Sequence, residues 1–395
     1  MGGSTTQRIG LGVIGLGRAF AMMRPSFLGP DAHPGFTIVA AADPRPEARA
    51  RIAAEFGARA YATAEEMCAD PGVAAVYVAT PHEAHAENVR TAARAGRHVL
   101  VEKPMALSLA DCTAMVGVAE MTGVVLLVGH SHSFDAPVAA ARRLIASGAH
   151  GAVRMIHAFN ATDFLYRPRR PEELDTARGG GAVFNQAPHQ VDIVRLLAGG
   201  MATRVRAHTG AWDGARPTEG AYAALVDFED GCFASLTYSG YAHFDTDALS
   251  DWIGETGHRR DPAAHGAARR ALAASSAPEA ALRQARGYGR AGAEAPSPGA
   301  HEHFGFVLAC CERADLRLLP DRIEIFGDAV RSTMQLPPPR PPRREVWDAF
   351  HTAITTGTMP TQTGAWGLAT MELCLAILQS AREGREITLA HQVPA

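Results

Sequence analysis

Short apolar runs alternate with helical spacing over the first third of the chain. Ile9–Ile14, Phe36–Ala42, Val73–Ala79, Val99–Val101 and Val124–Val128 read as strands. The stretches 18–28, 46–56, 83–95 and 108–121 between them carry the helical period. Apolar strands separated by helices predict a doubly wound parallel sheet, covered on both faces. Beyond a helix at 137–147 and a strand at Val153–Ala161, the period changes to two. Thr203–Trp212, Ala221–Phe228, Cys232–Tyr241, Phe304–Cys311, Ala314–Leu319 and Arg322–Phe326 alternate apolar with polar, and Glu229-Asp230-Gly231 makes a hairpin turn. This predicts an open, mainly antiparallel sheet in an α+β domain. Helices at 343–357 and 364–383 close the chain. The expected domains are 1–129 and 130–395. Residues 258–302, rich in Ala, Arg, Gly and Pro, read as an inserted excursion ending in the link Pro296-Ser297-Pro298-Gly299.

A chain of 395 residues is long enough for two cores. With 47% hydrophobic and 20% charged residues it reads as a soluble globular protein. A net charge of −3 gives no reason to expect nucleic acid as a partner. The cysteines show no CxxC and no regular spacing, which fits a reducing compartment. Neither a signal peptide nor a membrane span is visible, so a cytoplasmic enzyme is expected.

Candidate chemistry begins at the first strand end. Gly15-Leu16-Gly17-Arg18-Ala19-Phe20 joins a strand to a helix, the context of a dinucleotide fingerprint. Gly15 permits the tight turn and Gly17 lets a pyrophosphate approach the backbone. Phe20 replaces the third glycine, and Pro25 should kink the helix. Asp43 ends the second strand, where a carboxylate accepts ribose hydroxyls; it also suits a helix N-cap. Arg45 keeps NADP open, with NAD favoured. Thr80, Pro81 and His82 follow another strand end and suit the nicotinamide side. Lys103 is the sole lysine among 38 basic Lys and Arg residues. It follows Glu102 past a strand's carboxyl end, where open α/β sheets place ligands. An ammonium can be tuned to exchange a proton; a guanidinium stays charged.

In the second half, His130 and His132 are expected to give a substrate pocket polarity rather than to bind metal, since no third ligand recurs at useful spacing. Tyr166, Arg167, Arg169 and Arg170 form an aromatic and basic loop, read either as a carboxylate site or as a solvated surface. Asn185, His189 and Asp192 are expected along one helix face, with His189 a proton carrier or part of a capping cluster.

Taken together, Gly15 to Gly17, Asp43, Thr80-Pro81, Glu102-Lys103-Pro104 and the Gly179–Gly181 run leading to His189 and Asp192 resemble the glucose–fructose oxidoreductase/inositol dehydrogenase/MocA family. The resemblance spans nearly the whole chain. It implies an N-terminal Rossmann domain, an open C-terminal sheet whose face makes homo-oligomers, Lys103 and His189 acting at the substrate, and Pro104 shaping the nicotinamide site. Many members carry Asp at the position of Asn185 and Gly at that of Ala187. The stretches around Arg18–Phe20, His130–Asp135, Tyr166-Arg167 and Cys311–Arg317 are similar to the phthalate 4,5-cis-dihydrodiol (4,5-dihydroxyphthalate) dehydrogenase branch. The expectation is an NAD-dependent oxidoreductase of a small cyclic diol. A sugar or cyclitol dehydrogenase and a non-catalytic NAD-binding regulator are the alternatives.

Overall fold

Apolar residues at consecutive positions bury both faces of the first sheet. Val76, Tyr77 and Val78 are all inaccessible to solvent, as are Val99, Leu100 and Val101. The structure, a computed structural model, describes residues 8–285, 287–288 and 298–395. It divides the chain into two units.

The first unit holds β1 (Ile9–Ile14), β2 (Phe36–Ala42), β3 (Arg59–Tyr61), β4 (Ala75–Val78), β5 (His98–Glu102) and β6 (Leu126–Gly129). Their order is β3-β2-β1-β4-β5-β6, with every pair parallel. The direction of winding reverses between β1 and β4, so their carboxyl ends open a crevice suited to ligands. β3 and the short helix Ala64–Cys68 were not foreseen. The helix begins with a capping box between Thr63 and Glu66, a pattern visible in the sequence.

The helix expected over 18–28 is shorter. Arg18–Met23 is α-helical, and Arg24–Phe27 tightens into a 3₁₀ turn containing Pro25. Proline has no N–H to continue the α-helical ladder.

The domain boundary also needs correction. Of the described residues, 284–285, 287–288 and 341–368 belong to the first unit rather than the second. Helix Arg344–Thr356 carries Trp347 and Phe350 onto Phe36, with ring centroids 5.6 and 5.7 Å away. Trp347 also meets Tyr77 at 5.4 Å. Val128 donates its N–H to Gln362 O at 3.0 Å, beyond the edge of the sheet. Such long-range aromatic packing leaves no local periodic signal. Residues 286 and 289–297 of the excursion, with Pro296 and Ser297 of its closing link, lie outside the described residues.

The second unit is built on β7 (Val153–Ala161), β8 (Ala202–Gly210), β9 (Ala221–Phe228), β10 (Phe233–Ser239), β11 (Phe306–Cys311), β12 (Ala314–Leu318), β13 (Arg322–Gly327), β14 (Arg331–Gln335) and β15 (Ile387–Thr388). The order is β14-β13-β12-β11-β7-β10-β9-β8-β15. β7 and β10 run parallel, and the other pairs are antiparallel. Alternation divides the faces. Tyr222, Ala224 and Val226 of β9 are buried, whereas Leu225 between them is 58% exposed. Phe233 on β10 is also exposed.

The single helix expected to carry Asn185, His189 and Asp192 is two helices, Gly181–Asn185 and Ala187–Ala198. A continuous helix would need an N–H from Pro188 to Phe184 O, which proline cannot give. The chain breaks at Gln186 (φ −119°, ψ −38°), and Pro188 falls in the first turn of the next helix, where it is tolerated. His189 and Asp192 thus share a helix, and Asn185 ends the preceding one.

Candidate active site

In the first unit the glycine turn has the conformation its sequence requires. Gly15 stands at φ +91°, and a Cβ there would lie 2.8 Å from Ala79 O. Around Gly17 the nearest atom to an added Cβ is 4.0 Å away, so its backbone is open to close approach. Arg18 is exposed, Ala19 half-buried and Phe20 fully buried. Phe20 packs edge-on against Tyr288 at 4.9 Å, and the Tyr288 N–H reaches Gly17 O at 3.3 Å.

Asp43 is buried at the end of β2. Its Oδ2 accepts from the Leu16 N–H at 2.8 Å, and its Oδ1 accepts from the Arg45 N–H at 2.9 Å. Burial alone would raise the pKa of this carboxyl; the bonds from Arg45 and Leu16 outweigh it and hold it below the ordinary value. An open glycine turn, with a carboxylate at the next strand end, fits the pyrophosphate and ribose of a dinucleotide.

Thr80, Pro81 and His82 follow β4, and Glu102, Lys103 and Pro104 end β5 or follow it. Lys103 is half-buried, and the Lys103–Pro104 peptide bond is cis. The fully buried Tyr77 donates to Glu102 Oε1 at 2.6 Å. His85, absent from the sequence-based candidates, is fully buried between these strand ends. Its Nδ1 is 2.9 Å from Pro104 O and its Nε2 is 3.0 Å from Thr80 O. No spacing rule marks it beside His82.

In the second unit His132 and His189 meet ring to ring, with centroids 4.6 Å apart at 77°. Asp135 holds His132 Nδ1 at 2.7 Å. Phe304 packs against both imidazoles, at 5.3 and 4.9 Å, and stacks on Tyr238 at 6.2 Å. His130 and Asp192 are buried in the same unit. Asn185 donates its amide to Gly181 O at 2.8 Å, which turns it toward its own helix start. That start is fixed by Glu219, whose carboxylate accepts from the Val183 N–H at 3.0 Å. Gly181 sits at φ +81°, and a Cβ there would strike Glu219 Oε1 at 2.1 Å. Phe304, Tyr238 and Glu219 come from distant strands and loops, and sequence reasoning missed all three.

The three arginines of the basic loop behave differently. Arg167 donates from Nε to Asp163 at 2.8 Å, and its Nη2 lies 3.7 Å from Glu255. Among the described residues its outer nitrogens make no other hydrogen bond. Burial works against its charge, but Glu255 and Asp163 more than restore it, raising its pKa. Arg169 is buried. It donates to Phe164 O and lies 3.6 Å over the Phe164 ring, and burial pulls its pKa down to about 9. Arg170 is half-buried, and its N–H donates to Glu173 at 2.8 Å. Tyr166 donates to Asp213 at 2.9 Å, and Arg269 of the excursion lies 3.8 Å over its ring. Among the described residues no cluster of His, Cys, Asp and Glu is placed to hold a metal, and no helix is long and apolar enough to cross a membrane.

Comparison with known proteins gives consistent matches. Residues 9–130 match the family described as an oxidoreductase family with an NAD-binding Rossmann fold, and residues 138–258 match the GFO/IDH/MocA C-terminal domain. A 1-carboxy-3-chloro-3,4-dihydroxycyclohexa-1,5-diene dehydrogenase from Comamonas testosteroni is 43% identical over 378 residues, 94% of each chain. The scyllo-inositol 2-dehydrogenase (NAD(+)) of Bacillus subtilis strain 168 is 31% identical over 44% of this chain and 50% of its own length. The solved structure of a protein from Bordetella bronchiseptica RB50, described as a dehydrogenase, superposes with a TM-score of 0.90 at 40% identity, covering 97% of this chain and 100% of its own.

Proposed function

The chain belongs to the Gfo/Idh/MocA family of oxidoreductases, and we propose that its substrate is a carboxylated cyclic cis-diol. The protein is an NAD-dependent dehydrogenase. Within the proposed class, the specific reading is oxidation of a phthalate cis-4,5-dihydrodiol to 4,5-dihydroxyphthalate.

The observation that carries the substrate class is the Arg167 guanidinium. Asp163 and Glu255 orient one side of it, and its outer fork matches a carboxylate bidentately. A neutral sugar would leave that fork without a matching group. The Comamonas relative is named for a carboxylated dihydroxycyclohexadiene, which supports an anionic ring.

Bound NAD supplies the hydride acceptor. The tight turn at Gly15 and the open backbone at Gly17 suit its pyrophosphate, Asp43 its ribose, and Thr80, Pro81, His82 and Pro104 its nicotinamide side. Lys103 takes the hydroxyl proton on Nζ. His189 assists in proton handling, and His130, His132, Asn185, Asp192 and Tyr166 shape the substrate side. The carbinol carbon loses a hydride and its hydroxyl a proton. The resulting hydroxy-enone tautomerises to a catechol, and aromatisation draws the reaction forward. The reading extends to a cytoplasmic homo-oligomer. Irregular cysteine spacing supports the compartment, and the exposed apolar residues of the open sheet support the assembly.

The test is NADH formation with phthalate cis-4,5-dihydrodiol, a benzoate cis-dihydrodiol and scyllo-inositol. The carboxylated rings should turn over fastest, and Lys103→Arg should lose nearly all turnover while keeping NAD affinity. Best turnover on the inositol would replace the proposal with the cyclitol reading. A Lys103→Arg variant keeping more than about a tenth of the rate would remove Lys103 as the acid/base.

A further inference from the structure

The ladder between β4 and β5 ends early. Its last register pair is Val78 with Val101. The residues assigned to cofactor and proton lie beyond it, Thr80 and Pro81 on one strand end and Lys103 and Pro104 on the other. Sheet pairing therefore does not fix the distance between them.

His85 spans that gap. It is the first residue of helix His85–Arg94, and its side chain is fully buried. One ring nitrogen faces Pro104 O and the other faces Thr80 O, at 2.9 and 3.0 Å. Three residues on, Asn88 donates to Thr80 Oγ1 at 3.3 Å and to Ala84 O at 2.8 Å, steadying the same strand end.

We propose that His85 is a positioning residue for catalysis: it cross-links the Thr80 and Pro104 strand ends past the end of the ladder and thereby sets where Lys103 stands against the nicotinamide side of the cofactor. The inference rests on the reading of Lys103 as the proton carrier. The imidazole is suited to the task because it is rigid and bears polar atoms at two opposed points. A neutral ring can donate to one carbonyl only, while a doubly protonated ring can donate to both. Burial opposes the second proton and lowers the pKa of His85, while the two carbonyls, Glu102 and Glu83 pull it upward. The cross-link is therefore complete in the doubly protonated ring, which donates to both strand ends, whereas the neutral ring ties down one of them. Without the ring, the buried Pro104 carbonyl and the part-buried Thr80 carbonyl lose this partner, and the Lys103 turn loses its tie to β4.

The test compares His85→Ala, His85→Gln and Lys103→Met in the full-length chain, on whichever of the three ring substrates turns over fastest. His85→Ala should lower kcat by about tenfold to a hundredfold, the scale of a displacement near 1 Å at a reacting group. NAD Kd should change less than about threefold, since Asp43 and Gly17 are untouched. The limb of the kcat–pH profile that reports Lys103 should move, and His85→Gln, which keeps one donor, should recover part of the rate. An unchanged kcat per folded site with an unmoved pH limb, whatever the loss in melting temperature, overturns the inference. If His85→Ala does not fold, His85→Gln carries the same comparison. An active Lys103→Met would instead overturn the reading of Lys103, and this inference with it. An inactive Lys103→Met beside a wild-type His85→Ala would reject His85 alone.

Discussion

Arg45 lies across the Asp43 carboxylate, with Nε 2.9 Å from Oδ1 and Nη2 3.0 Å from Oδ2. The same Nη2 reaches Leu16 O at 2.8 Å. With the Leu16 and Arg45 amides added, each carboxylate oxygen already accepts two hydrogen bonds, the full capacity of its lone pairs. Ribose hydroxyls therefore have to displace the Arg45 side chain to reach Asp43. Arg45→Ala should remove that competition, tightening NAD by about threefold to tenfold, the scale of one hydrogen bond, and weakening NADP. Asp43→Ala should weaken NAD and narrow its preference over NADP, because a 2′-phosphate then meets one less negative charge. Titrations of both cofactors against both variants check this. An unchanged NAD to NADP ratio in Asp43→Ala would mean that the carboxylate serves the Leu16 turn and not the ribose.

The basic loop supplies a contrast within four residues. Arg167 keeps its outer nitrogens clear of other hydrogen bonds among the described residues, whereas Arg169 is spent on the Phe164 carbonyl and ring. Arg167→Ala should raise KM for a carboxylated ring by about tenfold or more, the scale of a lost charge-assisted hydrogen bond, with little change in melting temperature. Arg169→Ala should instead cost about 2 kcal/mol of stability, by removing the cation over the Phe164 ring and one of the two donors to the Phe164 carbonyl, and leave KM of the folded enzyme near wild type. Equal effects on KM from both variants would dismiss the division of roles.

What the sequence disclosed and what it hid follow one physical division. Local patterns survived: β1, β2, β7, helix Pro46–Phe56 and the Gly15 turn all lie where periodicity and the glycine puts them. The parallel sheet and the change to an antiparallel one were legible because burial on two faces or one dictates side-chain alternation. Contacts made across tens to hundreds of residues were not. Trp347 packs beneath Phe36 and Tyr77, Glu219 caps the helix at Val183, and Phe304 closes on His132 and His189. The helix break before His189 was readable from Pro188. It was masked by the attractive i, i+4, i+7 spacing of three polar residues.

Glu173 makes the stability of this loop depend on pH. Arg283 donates to it at 3.0 Å and the Arg170 N–H at 2.8 Å. Burial would raise its pKa, but Arg283, the Arg170 amide and Arg169 outweigh burial and push it down to about 2, from an ordinary value of 4.5. A depressed folded-state pKa means that the ionised form stabilises the fold above the unfolded value, and that this contribution fades as pH falls from 4.5 toward 2. Glu173→Gln should therefore be less stable than wild type at pH 7, by about 2–3 kcal/mol. The gap should close progressively below pH 4.5. Urea unfolding of both proteins at pH 7, 5, 4 and 3 measures it. A gap that stays constant across that range would trace the loss to packing rather than charge.

The open face of the second sheet gives the last prediction. Leu225 on β9 and Phe233 on β10 are 58% and 45% exposed, on adjacent antiparallel strands. Their sequence neighbours Ala224, Val226 and Ala234 are buried in the unit's own core, so these large side chains are what the alternation leaves outside. Each apolar side chain covered by a partner gains roughly 1.5–3 kcal/mol, and an isologous contact counts each residue twice. Leu225→Glu combined with Phe233→Glu should therefore lower the molar mass seen by light scattering to that of a single chain at micromolar concentration. The fold should persist, because both positions already face outward. A wild-type protein that is itself monomeric, or a variant whose mass does not change, would mean that these strands face solvent in the working enzyme.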